Sequence, residues 1–247
     1  MVDKENVVAS NFPFNMVALS VANTMLVGIA FILGIKQSLL RTPMAPRSRR
    51  RVLYLVTLML AVLYFARFIV GALYPGLDAI LVVVSIVGFY VAVGTSMSFS
   101  QRFRQIIRDI SQDWLIGIQT LRIGGFVFLG LLDLKLLPSE FAIPAGYGDV
   151  VVGFLAPLAL RIYRKDRTRS WVALIAWNIF GMLDLVVAMI TGIVFIAPFA
   201  RTMVLGGQSI NYLNYVLLVP GFAVPILFFV HIRSLANLKS EMSTGEA

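Results

Sequence analysis

The sequence predicts an all-α polytopic membrane protein of seven transmembrane helices, with the N-terminus outside and the C-terminus cytoplasmic. Three observations predict it. First, 59% of the 247 residues are hydrophobic and 13% are charged, whereas a soluble domain carries about 25% charged residues. Second, seven apolar stretches are each long enough to cross a ~30 Å hydrocarbon core at 1.5 Å per residue. Away from their cytoplasmic ends they hold only two basic side chains, Arg67 and Arg122. Third, the connections alternate between rich and poor in Lys and Arg, the pattern that sets membrane orientation.

The elements follow in order. The first span, 14–35, comes after Asp3, Lys4 and Glu5. That start lacks the basic n-region of a cleavable signal peptide, so the span reads as a permanent helix. The 36–51 connection carries Lys36, Arg41, Arg47, Arg49, Arg50 and Arg51, and Pro43 and Pro46 interrupt helix there. Spans 52–73 and 79–98 follow. In 101–113, Phe103, Ile106, Ile107 and Ile110 recur at helical spacing with Arg102, Arg104 and Arg108 between them. This reads as an amphipathic helix on the cytoplasmic leaflet, or as an extension of a neighbouring span.

The fourth span is 114–134. Pro138 and Pro144 predict a non-helical external connection before the fifth, 147–163. Arg161, Arg164, Lys165, Arg167 and Arg169 separate it from the sixth, 171–195. The external segment 196–213, with Pro198, Gly206 and Gly207, is long and mostly uncharged and could fold back as a lid. The last span, 214–234, contains Pro220 and Pro225, which should kink it. With Arg233 and Lys239, sixteen basic residues fall on the cytoplasmic side, against Lys4, Lys135 and Arg201 outside. Residues 1–247 therefore read as a single transmembrane helical-bundle domain. No internal repeat is visible, which argues against an inverted-repeat transporter.

Composition also excludes functions. The chain has no cysteine, so disulfides, thiolate nucleophiles and Cys-ligated metals are absent. His231 is the only histidine and reads as an interfacial residue near a helix end, on the opposite side from Asp133 and Asp149. No catalytic residue, metal site or cofactor is therefore predicted. The net charge of +9 sits in short loops, which points to the bilayer and anionic lipid head groups as partners rather than nucleic acid. Trp114, Tyr163, Trp171, Tyr212 and Tyr215, near helix ends, read as interface anchors.

A charge at mid-bilayer costs at least ~2.5 kcal/mol and needs a partner or a wet cavity. Arg122 and Asp184 lie at matching depths and are expected to pair. Arg67 lies in the outer half of its span, where Asp78, Asp133 and Asp149 are the available carboxylates. Gln119, Arg122 and Asp133 fall on one face of an α-helix. Trp177, Asp184 and Thr191 do the same, with Asn178 and Gly181 beside them. The candidate ligand-binding cluster is thus Arg67, Gln119, Arg122, Asp133, Asp149, Asn178 and Asp184, opening outward. Its guanidinium groups suit a small anionic ligand.

Two resemblances bear on function. Gly146-Tyr147-Gly148-Asp149 matches the letters of the potassium-channel selectivity filter. Pro144-Ala145 precedes it in place of Thr-Val, and the stretch reads as a Gly-rich turn with Asp149 at a helix N-terminus. The seven-helix, N-outside topology resembles the microbial rhodopsins, which implies retinal on a lysine of the last helix. Residues 214–234 contain no lysine, and retinal is excluded. The reading that remains is a small-solute or ion transporter-like protein of a bacterial inner membrane. The alternative is a membrane sensor or interaction subunit whose basic face docks a partner.

Overall fold

The computed structural model describes residues 4–74, 77–195, 203–205, 208–210 and 212–244. Among them, seven helices are long and apolar enough to cross a membrane. Helices α1 (Lys4–Arg41), α2 (Pro46–Leu73) and α3 (Asp78–Phe99) are the first three spans. Pro46 opens α2, where its missing N–H has no helical partner to lose. The described chain is helical apart from one small hairpin, β1 (Met203–Leu205) antiparallel to β2 (Gln208–Ile210), with Val204 opposite Ser209. The hairpin falls in the segment anticipated as a lid, most of which lies outside the described residues.

The amphipathic stretch forms a separate helix, α4 (Gln101–Arg108). Two serine caps isolate it. The Ser100 hydroxyl accepts from the Phe103 N–H at 3.1 Å, and the Ser111 hydroxyl accepts from the Trp114 N–H at 3.4 Å. Its apolar face is not left to lipid: Ile106 and Ile107 are buried, and the Ser38 hydroxyl of α1 donates to the Ile106 carbonyl at 2.6 Å. Trp114 is likewise no free interface anchor. Its indole fills the notch left by Gly34, and Nε1 donates to the Ala30 carbonyl at 3.0 Å. Ala30 and Gly34, one turn apart on α1, therefore form a seat for the Trp114 side chain. Tyr163 is also buried, with its hydroxyl 2.8 Å from Glu241 Oε1.

The fourth span is composite: α5 (Gln112–Gly117), a 3-10 segment (Ile118–Gly125) and α6 (Phe126–Asp133). The fifth, α7, runs Ser139–Lys165 and starts eight residues earlier than predicted. Pro144 lies inside it and does not break it. At this distance from the start its missing N–H removes one bond of the first turns, while Pro138 holds the extended cap position. Gly146 to Asp149 are therefore helical, not a turn, and Asp149 sits well inside α7. The sixth span is α8 (Arg167–Phe195). The seventh comprises α9 (Tyr212–Val216), a π turn (Val219–Ala223) around Pro220 and α10 (Val224–Thr244), which runs ten residues beyond the predicted end. The wide π turn takes up the missing proline donors.

This last span is the centre of the bundle. Of its most apolar window 78% is buried, against 17–50% in the other six. Phe229 of α10 meets Phe31 and Phe89 edge-to-face, each at 6.1 Å between centroids. Outward-facing positions such as Leu58, Val84, Phe154 and Ile190 are exposed and apolar, as a lipid-facing surface requires.

Candidate functional site

Four elements converge on Arg122, which is 1% exposed. The 3-10 segment supplies Arg122, α7 supplies Asp149, α8 supplies Asn178, Gly181 and Asp184, and α10 supplies His231 and Ser234. Arg122 Nε donates to Asp149 Oδ1 at 2.7 Å, and Nη2 donates to Asp184 Oδ2. Nη1 donates to the Gly181 carbonyl at 3.0 Å and lies 3.2 Å from His231 Nε2. The pairing expected between Arg122 and Asp184 is thus present, with Asp149 as a second carboxylate on the same guanidinium.

The direction of each bond follows from what each group can do. A guanidinium only donates, so His231 Nε2 must accept and Nδ1 must carry the ring proton. Nδ1 then donates to Asn178 Oδ1 at 2.8 Å. Asn178 Nδ2 donates to the Leu174 carbonyl at 2.8 Å and to Ser234 Oγ at 3.0 Å. Ser234 Oγ also accepts from Gln112 Nε2 at 2.6 Å. A thread of polar contacts therefore runs from the two carboxylates, through a neutral histidine, to the start of the fourth span. Trp177 closes one side, its ring edge-to-face with His231 at 5.4 Å.

Glycines make room for these groups. A β-carbon at Gly148 would overlap the Asp184 carboxylate, and one at Gly181 would sit 2.5 Å from His231 Nε2 and 3.1 Å from Arg122 Nη1. Glycine within a helix costs about 1 kcal/mol relative to alanine; here the close approach it permits brings the charges into contact. The network is nearly sealed, with the side chains of Arg122, Asp149 and Asp184 only 0%, 12% and 8% exposed.

The other candidates lie elsewhere. Gln119 is buried but donates to the Leu227 carbonyl at 3.1 Å. Asp133 is exposed at the end of α6 and takes no part in the network. The predicted stripe assumed α geometry throughout, whereas each 3-10 residue turns about 120° instead of about 100°. That difference swings Asp133 off the face of Arg122. Arg67 does not take Asp149, which is on Arg122. Its Nη1 donates to Asn214 Oδ1 at 2.9 Å, and Asn214 Nδ2 donates to the Phe68 carbonyl at 3.1 Å. The Asp78 side chain lies outside the described residues.

His231 is a correction as well as an addition. Because α10 continues to Thr244, His231 is mid-helix, fully buried and in the same network as Asp149. His231 and Ser234, three residues apart on the last helix, form a polar pair on one face that could have signalled this. No group of three or more His, Asp or Glu able to hold a metal occurs among the described residues; a guanidinium occupies the space between the two carboxylates.

The family described as a domain of unknown function, DUF8737, matches residues 79–239, well over half of the chain. The chain belongs to that family. No curated protein and no solved structure gives a match. The DUF8737 range contains Arg122, Asp149, Asn178, Asp184, His231 and Ser234, the whole polar network. Arg67 and all of α1 lie before it.

Proposed function

We propose that the chain is an ion transporter-like protein of a bacterial inner membrane, with its N-terminus outside, in which the Arg122–Asp149–Asp184–His231 network is the ion-responsive site. One observation carries the reading: a single buried guanidinium is shared by two carboxylates. One carboxylate neutralises one guanidinium. The second leaves a net negative charge in a low-dielectric interior, and gaining a proton or a cation lowers that cost. A group that gains and releases charge inside a membrane is what a carrier needs. The basic connections support the orientation. The charge balance favours a cation over the small anionic ligand anticipated for this cluster, because carboxylates already occupy the Arg122 fork.

The test is flux. The full chain is reconstituted in liposomes holding a pH-sensitive dye, and a pH or sodium gradient is imposed. The wild-type chain dissipates the gradient, and Asp184→Asn, which keeps the side-chain shape, does not. Equal rates in empty liposomes and in both proteins reject the reading.

A cleft at the basic end favours the sensor reading as a second possibility. It has a volume of about 390 Å³ and is lined by residues including Thr42, Ser48, Arg102 and Gln105. These donors suit an anionic head group or the acidic segment of a partner. Stability that rises with phosphatidylglycerol in wild type but not in Arg102→Gln supports this second reading; the same response in both proteins removes it.

A further inference from the structure

Asp149 has a second face. Arg122 engages Oδ1, and the Asp149 side chain, Oδ2 included, packs close over Gly125. There a cavity of about 10 Å³ is bounded on one side by Ser20 and Asn23 of α1, Gly124 and Gly125 of the 3-10 segment, and Asp149, and on the other by the apolar Val127, Phe128 and Val219. That is room for one water-sized particle. Ser20 is only 2% exposed, and its hydroxyl has no hydrogen-bond partner. A buried hydroxyl left without a partner costs about 1–3 kcal/mol, and this one lines the cavity beside a carboxylate.

We propose that Ser20, Asn23 and Asp149 form a binding site for one monovalent alkali cation, sodium by size. Three features converge on that chemistry. The polar part of the lining offers hard oxygen atoms: a hydroxyl, an amide carbonyl and a carboxylate, with Val127, Phe128 and Val219 closing the rest. The adjoining Arg122–Asp149–Asp184 group carries one carboxylate more than it has guanidinium, so a single positive charge balances it where a divalent ion would overshoot. The small volume fits sodium better than the larger potassium ion. Gly124 and Gly125, at the end of the 3-10 segment, carry no side chain into this space and so leave it open. The site deepens the ion-coupled reading above by naming the ion and adding α1 to the machinery.

The experiment is thermal unfolding of the purified full chain in detergent, in sodium, potassium or choline chloride at equal ionic strength. Sodium raises the melting temperature in a saturable way by mass action, and choline does not. Ser20→Ala removes one oxygen and little volume; it folds and loses the sodium-dependent shift. Asp149→Asn loses the shift as well. Equal melting temperatures in the three salts overturn the site and leave a water in the cavity, as does a sodium shift that survives Ser20→Ala. This readout is independent of flux. A sodium shift without flux leaves the site standing and removes the transporter reading, and proton flux without a sodium shift does the reverse.

Discussion

Gly148 of α7 and Asp184 of α8 are in such close contact that a β-carbon at 148 would occupy the space of the carboxylate. The absence of a side chain at one position is what allows the charged group at the other to reach Arg122. Gly148→Ala should therefore push Asp184 off the guanidinium and cost about 3–5 kcal/mol, the penalty of breaking a buried pair. Gly94→Ala is the control, since nothing lies within 4 Å of a β-carbon there. Melting temperatures in detergent should fall for the first variant and not for the second.

Arg122→Gln leaves two carboxylates buried with no cation between them. It should destabilise the chain by at least as much. Adding Asp149→Asn and Asp184→Asn to the same chain should restore most of the melting temperature, because neutral side chains need no counter-charge. A triple variant no more stable than Arg122→Gln alone would assign Arg122 a packing role instead.

The single histidine makes its tautomer directly measurable. In protein labelled with 15N at histidine, the His231 resonances should report a proton on Nδ1 and an acceptor at Nε2. Asn178→Leu removes the acceptor of the Nδ1 proton and should shift the population towards the other tautomer. A proton found on Nε2 in the wild-type chain contradicts the bond directions derived above.

At the basic end, Gly34→Leu competes with the Trp114 indole for one space. Overpacking of this kind costs about 1–3 kcal/mol. Tryptophan emission should shift to the red as the ring is expelled, and α4 should become sensitive to protease. Unchanged emission would mean that the ring does not sit in the notch.

Orientation can be tested in a chain that contains no cysteine. Arg50→Cys and Lys135→Cys introduce one thiol each at opposite ends of the bundle. In intact cells a membrane-impermeant maleimide should label the second and spare the first. The reverse pattern would invert the topology.

The number and order of the spans were legible because hydrophobic length is a local property that the bilayer reads one helix at a time, while their ends were not, as α7 and α10 both run past the predicted bounds. The Arg122–Asp184 contact was legible for a related reason: depth can be counted along each helix and a buried charge needs a partner. Asp133 and His231 were misplaced for opposite reasons. The stripe through Asp133 assumed a constant 3.6-residue turn, which the 3-10 segment breaks. His231 was assigned by its distance from an assumed helix end, and α10 continues past that end. Pro144 was read as a breaker although it lies within reach of a helix start. The partner of Arg67 depended on how two distant helices meet, and the sequence carries no marker for the Asn214 contact.

The 3-10 segment has a mechanical consequence. Eight residues at 2.0 Å rise are about 4 Å longer than the same residues at 1.5 Å. Rewinding them would shorten the strut that carries Arg122 and rotate the guanidinium about its axis in one movement. A thinner bilayer would favour the shorter form, so membrane thickness itself becomes a force acting on the buried ions.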